Sequence, residues 1–488
     1  MSALMIQGTG SDVGKSLITA GLCRLFTKRG LKVRPFKPQN MSNNAAVTID
    51  GGEIGRAQAL QAWACNIDPS IHMNPVLLKP QGNSYSQIIL QGKLWNIIKA
   101  SQYQLMKSTL MPFVLESFDK LKNGSDLMLV EGAGSPAEVN LREGDIANMG
   151  FAEAADLPVI LIVDIERGGA IANVVGTYTI LAEQEKKRIK GYIINKFCGD
   201  QKLFENGIQI IKNYTKLPCL GIIPYFPKLK NLPAEDSLSL KNLYYNSEKK
   251  DQKIKIAVLP LPKISNFDDL DPLRMEAEVD LFFVQPKSPL PMDVDMIIIP
   301  GSKATILDLQ FIIEQGWDID LKAYQRQGGN ILGICGGYQM LGSILHDPNG
   351  IEGVQGSFEG IGLLPLETIF KENKILKRNN GFIVGSMEEI SGYEIHNGET
   401  KSLESLPSMI TLMDGQEIGF SSKDKKIFGC YWHGLFAQDN FRQSFLKRIK
   451  SDFQGTLKYQ ENINNILDDW TIILEEVLDI SAILKIAR

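Results

Sequence analysis

Short runs of apolar residues, separated by polar and glycine-containing stretches, recur along the first half of the chain. Their length and their near-continuous apolar character are typical of strands that are buried on both faces. The predicted strands are residues 3–7, 32–36, 126–132, 158–164, 191–195 and 220–224. Because the intervening segments are long enough for crossover helices, we predict a mostly parallel sheet covered by helices on both faces.

This pattern stops at Phe226 and stays absent to Lys253, a stretch that is polar, charged and poor in strand signals. It then restarts, and the further predicted strands are residues 254–261, 279–285, 295–302, 330–337 and 426–434. From about Glu461 onwards the apolar residues follow helical spacing, which predicts a terminal helix. The second half therefore predicts another α/β domain that ends in a helical tail.

A chain of 488 residues is too long for one compact core, so at least two domains are expected. We predict a first domain over 1–225, a linker over 226–253, a second domain over 254–450, and a tail over 451–488 that packs on the second domain. Both domains are expected to be of the α/β class.

Composition mainly excludes classes of partner. The net charge is -4, without a basic excess, so nucleic acid is not an expected partner. Six scattered cysteines without a C-x-x-C pair fit a reducing, cytoplasmic setting. No apolar run approaches the roughly 20 residues that span a membrane. We expect a cytoplasmic protein with neither nucleic-acid nor membrane partners, and the sequence leaves a homo-oligomer open.

A glycine-rich stretch, QGTGSDVGKSLITAG (7–21), lies between the first predicted strand and the first helix. Gly8, Gly10 and Gly14 allow a tight loop whose N–H groups point inward. Lys15 would then reach the outer phosphates of ATP, and Ser16 would bind Mg²⁺. Five residues rather than the common four separate Gly8 from Gly14. A plain glycine-rich turn is the alternative, but the Gly-Lys-Ser ending favours a phosphate loop.

This longer loop resembles that of the dethiobiotin synthetase group, which reads G-T-x-x-x-V-G-K-[ST]. In that group, ATP activates a carboxylate as an acyl phosphate. The resemblance implies that Glu131, at the end of a predicted strand, holds Mg²⁺, and it favours Glu53 over Asp50 as a further metal ligand. It also implies that Asn195 contacts the adenine. Solvated surface acids and a loop-capping asparagine are the alternatives.

The stretch GICGGYQM (333–340) puts Cys335 where a predicted strand turns into a helix. A nucleophile at such a turn benefits from the helix N-terminus, which favours the reactive thiolate. The N–H of Gly336 would point at a developing oxyanion. Flanking glycines permit a strained turn. A buried cysteine with a purely structural role is the alternative.

A thiol nucleophile needs a base, and the chain has four histidines: His72, His346, His396 and His433. His433 follows the last predicted strand, so it is expected to meet Cys335 at one edge of a parallel sheet. His346 is expected near the end of the helix that follows Cys335, pointing away from the thiol. His396 remains an alternative base.

The strings GICGGYQMLG and YWHGLF together resemble the class I glutamine amidotransferase domain, which hydrolyses glutamine through a glutamyl thioester and releases ammonia. Most such domains carry a glutamate two residues after the histidine, but Leu435 stands there. That departure matches the cobyric/cobyrinic acid amidotransferase family, in which a Cys–His dyad is implied. It leaves open which group orients His433. The string IIIPGSKAT (297–305) resembles the family's second oxyanion loop, with a backbone N–H near Ser302.

Strings spread over nearly the whole chain narrow the resemblance to the cobyric acid synthase branch of that family. They are KPQNMSNNA (37–45), GGEIGRAQALQA (51–62), NPVLLKP (74–80), VEGAGSPAEVNL (130–141), DIERGGA (164–170), LPAEDS (232–237) and GYEIHNGET (392–400). The resemblance implies that L-glutamine and ATP serve to amidate the b, d, e and g carboxylates of adenosylcobyrinic acid a,c-diamide, a corrinoid.

Candidates for contacts to that substrate are the amides of Gln39 and Asn40 and the guanidinium groups of Arg56 and Arg167, which can pair with carboxylates. A surface position is the alternative for Arg56. Two other functions remain open. One is the same chemistry on another acid, including cobyrinic acid a,c-diamide synthesis. The other is a non-enzymatic nucleotide switch of the ParA/MinD kind, which would need neither the cysteine turn nor a matching histidine.

Overall fold

The computed structural model describes residues 2–81, 85–235, 254–353, 355–384 and 388–487. Most of the predicted linker, residues 236–253, lies outside the described residues. The remainder forms two α/β bodies in contact, followed by two helices at the C-terminus.

The strands of the first domain include all six predicted from the hydrophobic runs. They are β1 (Ser2–Gly8), β2 (Val33–Phe36), β3 (Gln39–Met41), β4 (Ala45–Val47), β5 (Glu53–Gly55), β6 (Val76–Gln81), β7 (Tyr85–Leu90), β8 (Lys93–Lys99), β9 (Leu127–Glu131), β10 (Val159–Asp164), β11 (Ile189–Phe197) and β12 (Cys219–Pro224). A six-stranded sheet in the order β12-β11-β10-β1-β9-β2 is parallel throughout, as predicted.

Helices cover both faces of this sheet. They are α1 (Lys15–Lys28), α2 (Arg56–Ala64), α3 (Ala100–Lys122), α4 (Met149–Ala154), α5 (Ala170–Ile180), α6 (Glu183–Lys186) and α7 (Glu205–Thr215). Successive residues of β1 face opposite layers, since Leu4 and Ile6 lie in the core beneath α1, whereas Met5 lies in the core beneath α3. Burial on both faces explains the continuous apolar run.

Two small sheets of the first domain were not predicted. Strands β3, β6, β7 and β8 form one, and β4 pairs with β5 in the other. The exposed outer strand β8 mixes polar and apolar residues, so it carries no buried-strand signature. The strands β3, β4 and β5 have only three residues each, which is too short for an alternation of apolar and polar residues to be recognised.

The second domain is built on a twelve-stranded mixed sheet. Its strands are β13 (Ile254–Val258), β14 (Val279–Phe283), β15 (Met296–Ile299), β16 (Asn330–Ile334), β17 (Ile344–Asp347), β18 (Gly356–Glu359), β19 (Leu366–Ile383), β20 (Glu389–Ser402), β21 (Ser408–Leu412), β22 (Glu417–Ser421), β23 (Ile427–Cys430) and β24 (Trp432–His433). The order β14-β13-β15-β16-β23 is parallel and corresponds to the predicted strands. The antiparallel part, which includes the long β19–β20 hairpin, was missed because its strands are half exposed.

The helices of the second domain are α8 (Asp271–Met275), α9 (Thr305–Glu314), α10 (Trp317–Arg326), α11 (Gly336–Met340) and α12 (Asp439–Ile449), and the tail contains α13 (Tyr459–Val477) and α14 (Ile480–Ala487). Across the described residues, each helix falls short of the length or the apolar character that crossing a membrane requires.

Only the first residues of the predicted tail pack on the second domain, where Phe453 joins the core, whereas the tail helices pack on the first domain. The apolar face of α13 lies against α1 of the first domain, and Trp470 is buried there with its indole N–H donating to the carbonyl of Leu17 at 2.8 Å. Arg24 of α1 pairs with Asp468 at 2.8 Å. Helical spacing shows that one face of a helix is apolar, but it does not show which surface that face packs against. Here the apolar face of α13 packs against the sheet face beside α1.

The β4–β5 hairpin of the first domain contacts the β19–β20 hairpin of the second. Val47 shares a small apolar cluster with Ile395, and Arg378 donates to the carbonyl of Val47 at 2.9 Å. Asn266 donates to the carbonyl of Ala45 at 2.7 Å. The contact between the two domains is therefore formed by strands that the sequence pattern did not reveal.

Candidate active sites

Cys335 occupies a strained turn between β16 and α11. Its backbone has φ 51° and ψ -105°, in the left-handed half of the map that a non-glycine residue rarely adopts. A side chain at Gly337 would collide with the carbonyl of Ile299, so glycine is required two residues after Cys335. This conformation presents the thiol at the end of the strand, as in a nucleophile elbow.

His433 reaches the same place from the neighbouring strand. Strands β16 and β23 are parallel partners with Ile334 opposite Cys430, and the N–H of Cys335 donates to the carbonyl of Cys430 at 2.9 Å. His433 follows Cys430 by three residues and is buried. Adjacent strand ends thus bring together the two residues that the sequence paired.

Asp269 completes the arrangement, and the sequence did not identify it. It lies in a 3₁₀ turn, Phe267–Leu270, beyond β13. Its carboxylate is 2.6 Å from His433 Nδ1 and accepts the N–H of Gly434 at 2.6 Å. The expected Cys–His dyad is therefore a Cys–His–Asp triad in geometry. The available signal was weak: an acid in the segment that follows a predicted parallel strand and leads from the edge where Cys335 and His433 were expected.

The electrostatics of His433 follow from these neighbours. Burial by itself would lower its pKa, but the charges of Asp269 and Cys335, with hydrogen bonds to both, raise the pKa to about 10. Its Nε2 is buried without any other hydrogen-bond partner among the described residues, which leaves that nitrogen for the thiol. The site therefore favours an imidazolium next to the sulfur of Cys335.

The predicted oxyanion donors lie together beside the thiol. A Cβ atom on Gly336 would come within 2.9 Å of the backbone nitrogen of Ser302. The hydroxyl of Ser302 donates to Asp308 at 2.5 Å and accepts the N–H of Ala304 at 3.0 Å. These bonds fix the loop after β15, and Ser302 lines the same pocket as Cys335, the residue before Gly336.

The pocket around Cys335 has walls from both domains. Its charged and polar lining residues are Lys79, Lys303, Gln339, Glu352, Lys374, His396 and Asn397. Lys79 belongs to β6 of the first domain, whereas the others belong to the second. A cavity that mixes cationic and anionic groups suits a zwitterionic amino acid.

The other histidines are engaged elsewhere. His396 lines the pocket, but its ring nitrogens lie 2.8 Å from the carbonyl of Gly398 and 3.2 Å from Glu394, so it is poorly placed to act as the base. His346 lies on β17 rather than on a helix, and it bonds to Ser357. His72 bonds to Ser117 within the first domain.

The glycine-rich stretch forms a loop between β1 and α1. Lys15 Nζ donates to the carbonyls of Gly10 at 2.9 Å and Gly134 at 3.0 Å. Burial, followed by the charge of Lys37, lowers the pKa of Lys15 to about 8. Gly14 has φ 97°, which favours glycine. The stretch therefore folds as a phosphate-binding loop, and the side chain of Lys15 bends back to bond to its backbone.

Two other predicted residues lie against this loop. A side chain at Gly8 would come within 2.8 Å of Lys15 Nζ, so the backbone approaches the lysine closely there. Asn195, at the end of β11, donates to the carbonyl of Val13 at 2.8 Å. The structure therefore brings Asn195 to the phosphate loop, while the contact to adenine stays a prediction.

Two acids meet the hydroxyl that follows the loop. Ser16 Oγ is 2.7 Å from Glu131 Oε1 and 2.7 Å from Glu235 Oε2. Lys37 Nζ bridges the same carboxylates at 2.7 Å and 2.6 Å. A hydroxyl and two carboxylates beside phosphate oxygens fit the oxygen ligands that Mg²⁺ takes. The sequence analysis did not assign Glu235 to the metal site, although the string LPAEDS (232–237) contains it, because it lies in the polar linker far along the chain from the phosphate loop.

Comparisons with known proteins agree with both halves of this arrangement. A family model described as a CobB/CobQ-like glutamine amidotransferase domain matches residues 255–441, and one described as an AAA domain matches residues 2–233. A cobyric acid synthase of Beijerinckia indica subsp. indica is 51% identical over 486 residues, which cover 100% of this chain and 99% of the relative. One from Rhizobium rhizogenes is 52% identical over 478 residues, 98% of each chain.

The chain belongs to the cobyric acid synthase family. The resemblance drawn from the motifs and the predicted pairing of a P-loop domain with a glutamine amidotransferase domain are therefore confirmed. As a member of this family, the chain is an ATP- and glutamine-dependent ligase.

Glu53 does not join the acids at the phosphate loop in this member of the cobyric acid synthase family. It is buried and forms ion pairs with Lys79 at 2.7 Å and with Lys374 of the second domain. Burial would raise its pKa, but the two lysines lower it to about 2. The short strand β5 directs this side chain into the contact between the domains, and Glu235 takes the place that was predicted for it.

Arg56 is also committed to the contact between the domains. Its side chain is only 15% exposed, pairs with Asp268 at 2.9 Å and donates to the hydroxyl of Tyr393. Neither the surface position nor the proposed pairing with a substrate carboxylate agrees with this placement. Its helix, α2, begins at the junction and not at the solvent face.

The remaining substrate candidates lie on the side of the first domain. Gln39 accepts a hydrogen bond from Tyr103 at 2.5 Å, and the buried Asn40 donates to Gln58 at 2.9 Å. Arg167 is exposed and pairs with Asp12 of the phosphate loop at 2.6 Å. A corrinoid contact for Gln39, Asn40 and Arg167 stays a prediction.

Proposed function

We propose that the chain converts adenosylcobyrinic acid a,c-diamide to adenosylcobyric acid by amidating its b, d, e and g carboxylates, with glutamine as nitrogen donor and ATP as activator. Membership of the cobyric acid synthase family supports this substrate. One observation carries the proposal. The same chain has a Cys335–His433–Asp269 group in the second domain and a phosphate loop in the first, on the two sides of one domain contact. All six cysteines are free, which supports a cytoplasmic location.

In the second domain, the thiolate of Cys335 attacks the side-chain carbonyl of glutamine. The N–H groups of Gly336 and Ser302 receive the developing oxyanion. The His433 imidazolium gives its proton to the leaving nitrogen, so ammonia departs and a glutamyl thioester remains. Water then attacks the thioester with His433 as base, which releases glutamate and restores the thiol. Asp269 holds the imidazole ring in the required orientation throughout.

In the first domain, the phosphate loop and Lys15 hold the phosphates of ATP, and the substrate carboxylate attacks the γ-phosphate, which breaks the bond to the β,γ-bridging oxygen and releases ADP. The resulting acyl phosphate is attacked by ammonia, which gives the amide and inorganic phosphate. Ser16, Glu131 and Glu235 are the residues that would hold Mg²⁺, whose contribution is to neutralise phosphate charge. Lys37 pairs with both Glu131 and Glu235 and so adds a positive charge beside these acids.

The contact between the domains supports internal transfer of ammonia. The glutamine pocket includes Lys79 and Lys374, both of which bind Glu53 of the β4–β5 hairpin. Ammonia that leaves Cys335 is therefore released beside the first domain and not on the outer surface. Free ammonia is protonated in water and ceases to be a nucleophile, so a protected route has a chemical purpose.

The test is the nitrogen source of a Cys335→Ser variant, with mass spectrometry of successive amide gains on adenosylcobyrinic acid a,c-diamide. Glutamine-dependent amidation is expected to fall by at least about a thousandfold, because the nucleophile is lost. Ammonium should still support amidation through the first domain. Cys198→Ser, at an exposed thiol, is the matched control and should keep both activities.

Each alternative has its own outcome in this experiment. A corrinoid that gains no amide from either nitrogen source excludes the proposed substrate, and cobyrinic acid or another acid would then be tried. Wild-type protein that fails to hydrolyse glutamine at all would favour the nucleotide-switch alternative.

A further inference from the structure

Helix α2 of the first domain begins next to residues of the second domain that surround His433. Arg56 is its first residue, and one nitrogen of the guanidinium bonds to Asp268 at 2.9 Å and to the hydroxyl of Tyr393. The guanidinium also lies 5.5 Å from the centre of the Tyr393 ring. The first domain thus places a buried positive charge across the domain contact.

Both partners of Arg56 lie next to the residues that form the His433–Asp269 pair. Asp268 precedes Asp269, whose carboxylate holds His433 Nδ1. The ring of Tyr393 stacks on the His433 imidazole, with centroids 5.3 Å apart and planes 25° apart. Arg56 therefore supports His433 from two sides without touching the substrate or the thiol.

The same helix reaches the nucleotide site less than two turns later. Gln61 donates to Glu131 at 2.6 Å and to the carbonyl of Ser16 at 3.3 Å. Gln58 lies 3.4 Å from the same Glu131 oxygen. At about 1.5 Å per residue, only roughly 7.5 Å of helix axis separates Arg56 from Gln61. One rigid element thus contacts the orienting residues of one site and the metal-binding acid of the other.

We propose that α2 couples the two active sites, with Arg56 as a positioning residue for glutamine hydrolysis that the first domain supplies. The inference rests on the proposed glutaminase function of Cys335 and goes beyond it. When ATP and its ion occupy Ser16 and Glu131, Gln61 and Gln58 fix α2, and Arg56 holds Asp268 and Tyr393 against the His433 assembly. When the nucleotide site is vacant, α2 loses part of that anchoring, and glutamine hydrolysis slows.

The charges around Arg56 explain why this position matters. Asp268 and Asp269 are adjacent buried carboxylates, which repel each other. Burial raises the pKa of Asp268, and the Arg56 charge opposes that rise. Without the guanidinium, the pair would separate or take up a proton, and either change moves the acceptor of His433 Nδ1. Coupling of this form limits the release of ammonia in the absence of an activated acid.

The test compares glutamine hydrolysis with and without ATP·Mg²⁺ in the full chain. Arg56→Met is expected to lower kcat on the order of tenfold to a hundredfold, with little change in the KM for glutamine, because misplacement of a catalytic group costs that much. The stimulation by ATP·Mg²⁺ should disappear in Arg56→Met and diminish in Gln61→Leu. Arg56→Lys, which keeps the charge but not the planar fork, should recover part of kcat.

Arg378→Met is the matched control, because its 43% exposed side chain bonds across the same contact to the carbonyl of Val47 and pairs with Asp68, and not with Tyr393 or the aspartates beside His433. It should keep wild-type kcat and stimulation. Ammonium-dependent amidation in each variant reports whether the first domain is folded. The proposal is overturned if Arg56→Met retains wild-type kcat, or if Arg378→Met loses as much. If the wild-type protein itself does not hydrolyse glutamine, the result counts instead against the proposed function.

Discussion

At the scale of single residues, the active site of the second domain includes a carboxylate, that of Asp269, which no local sequence motif identifies. Asp269 lies 164 residues before His433 and is 2.6 Å from its Nδ1, and the charge of its carboxylate is the largest cause that raises the His433 pKa above its ordinary range. Leu435 occupies the position where most class I domains carry the orienting acid. An acid at His433 is therefore supplied from a different segment, the 3₁₀ turn Phe267–Leu270.

Asp269→Asn tests this role through the pH dependence of glutamine hydrolysis. The raised pKa keeps His433 protonated below about pH 10, so the proton for the leaving nitrogen is lost only as the pH rises through that value. The variant should move the alkaline limb of kcat/KM to lower pH and reduce kcat by roughly 10³- to 10⁴-fold. Asp293→Asn, at a carboxylate that is 80% exposed, is the control. An unmoved limb with wild-type kcat would refute the assignment.

At the scale of elements, the buried strands were predictable and the partners of amphipathic elements were not. The run at 158–164 became β10 because it is apolar on both faces. The tail helix α13 was predicted from its spacing, yet its apolar face covers α1 of the first domain. Spacing describes one face of a helix, whereas docking depends on which sheet face remains uncovered.

Trp470→Ala tests the docking of α13. Trp470 fills the space between α1 and the Phe226 ring, which it stacks at 5.9 Å, so its removal should cost about 3–5 kcal/mol of unfolding free energy. Calorimetry with and without ATP·Mg²⁺ identifies the first domain's transition, since ligand binding shifts it. That transition should fall in temperature, while Ile472→Ala, at an exposed position on α13, should leave it in place. A fall confined to a transition that ATP does not shift would contradict this docking.

At the scale of the whole molecule, the two sites meet where β4–β5 contacts β19–β20. Glu53, Lys79 and Lys374 form a buried charged cluster there, at the edge of the glutamine pocket. A cluster drawn from both domains closes this contact against water and makes the reaction depend on how the domains are assembled.

Amidation with ¹⁵N-amide glutamine in the presence of excess ¹⁴N ammonium tests the passage of nitrogen between the sites. Wild-type protein should deliver mainly ¹⁵N to the product. Lys374→Met should raise both the dilution of the label and the ratio of glutamine hydrolysed to amide formed, because the bond to Glu53 that closes the contact is removed. Lys371→Met, on the same strand and paired with the exposed Glu399, is the control. Complete dilution in wild-type protein would exclude a protected route.

The sequence by itself determined the parallel cores, the phosphate loop, the Cys335 turn and its pairing with His433. These features depend on local periodicity, on glycines that permit tight turns, and on the convergence of parallel strand ends. Only the tertiary structure decided that Asp269 orients His433, that Glu235 and not Glu53 joins Glu131, that Arg56 crosses between domains, and that α13 covers α1. Each of those contacts joins residues far apart in the chain, and their meeting depends on sheet order and domain docking, which no local pattern encodes.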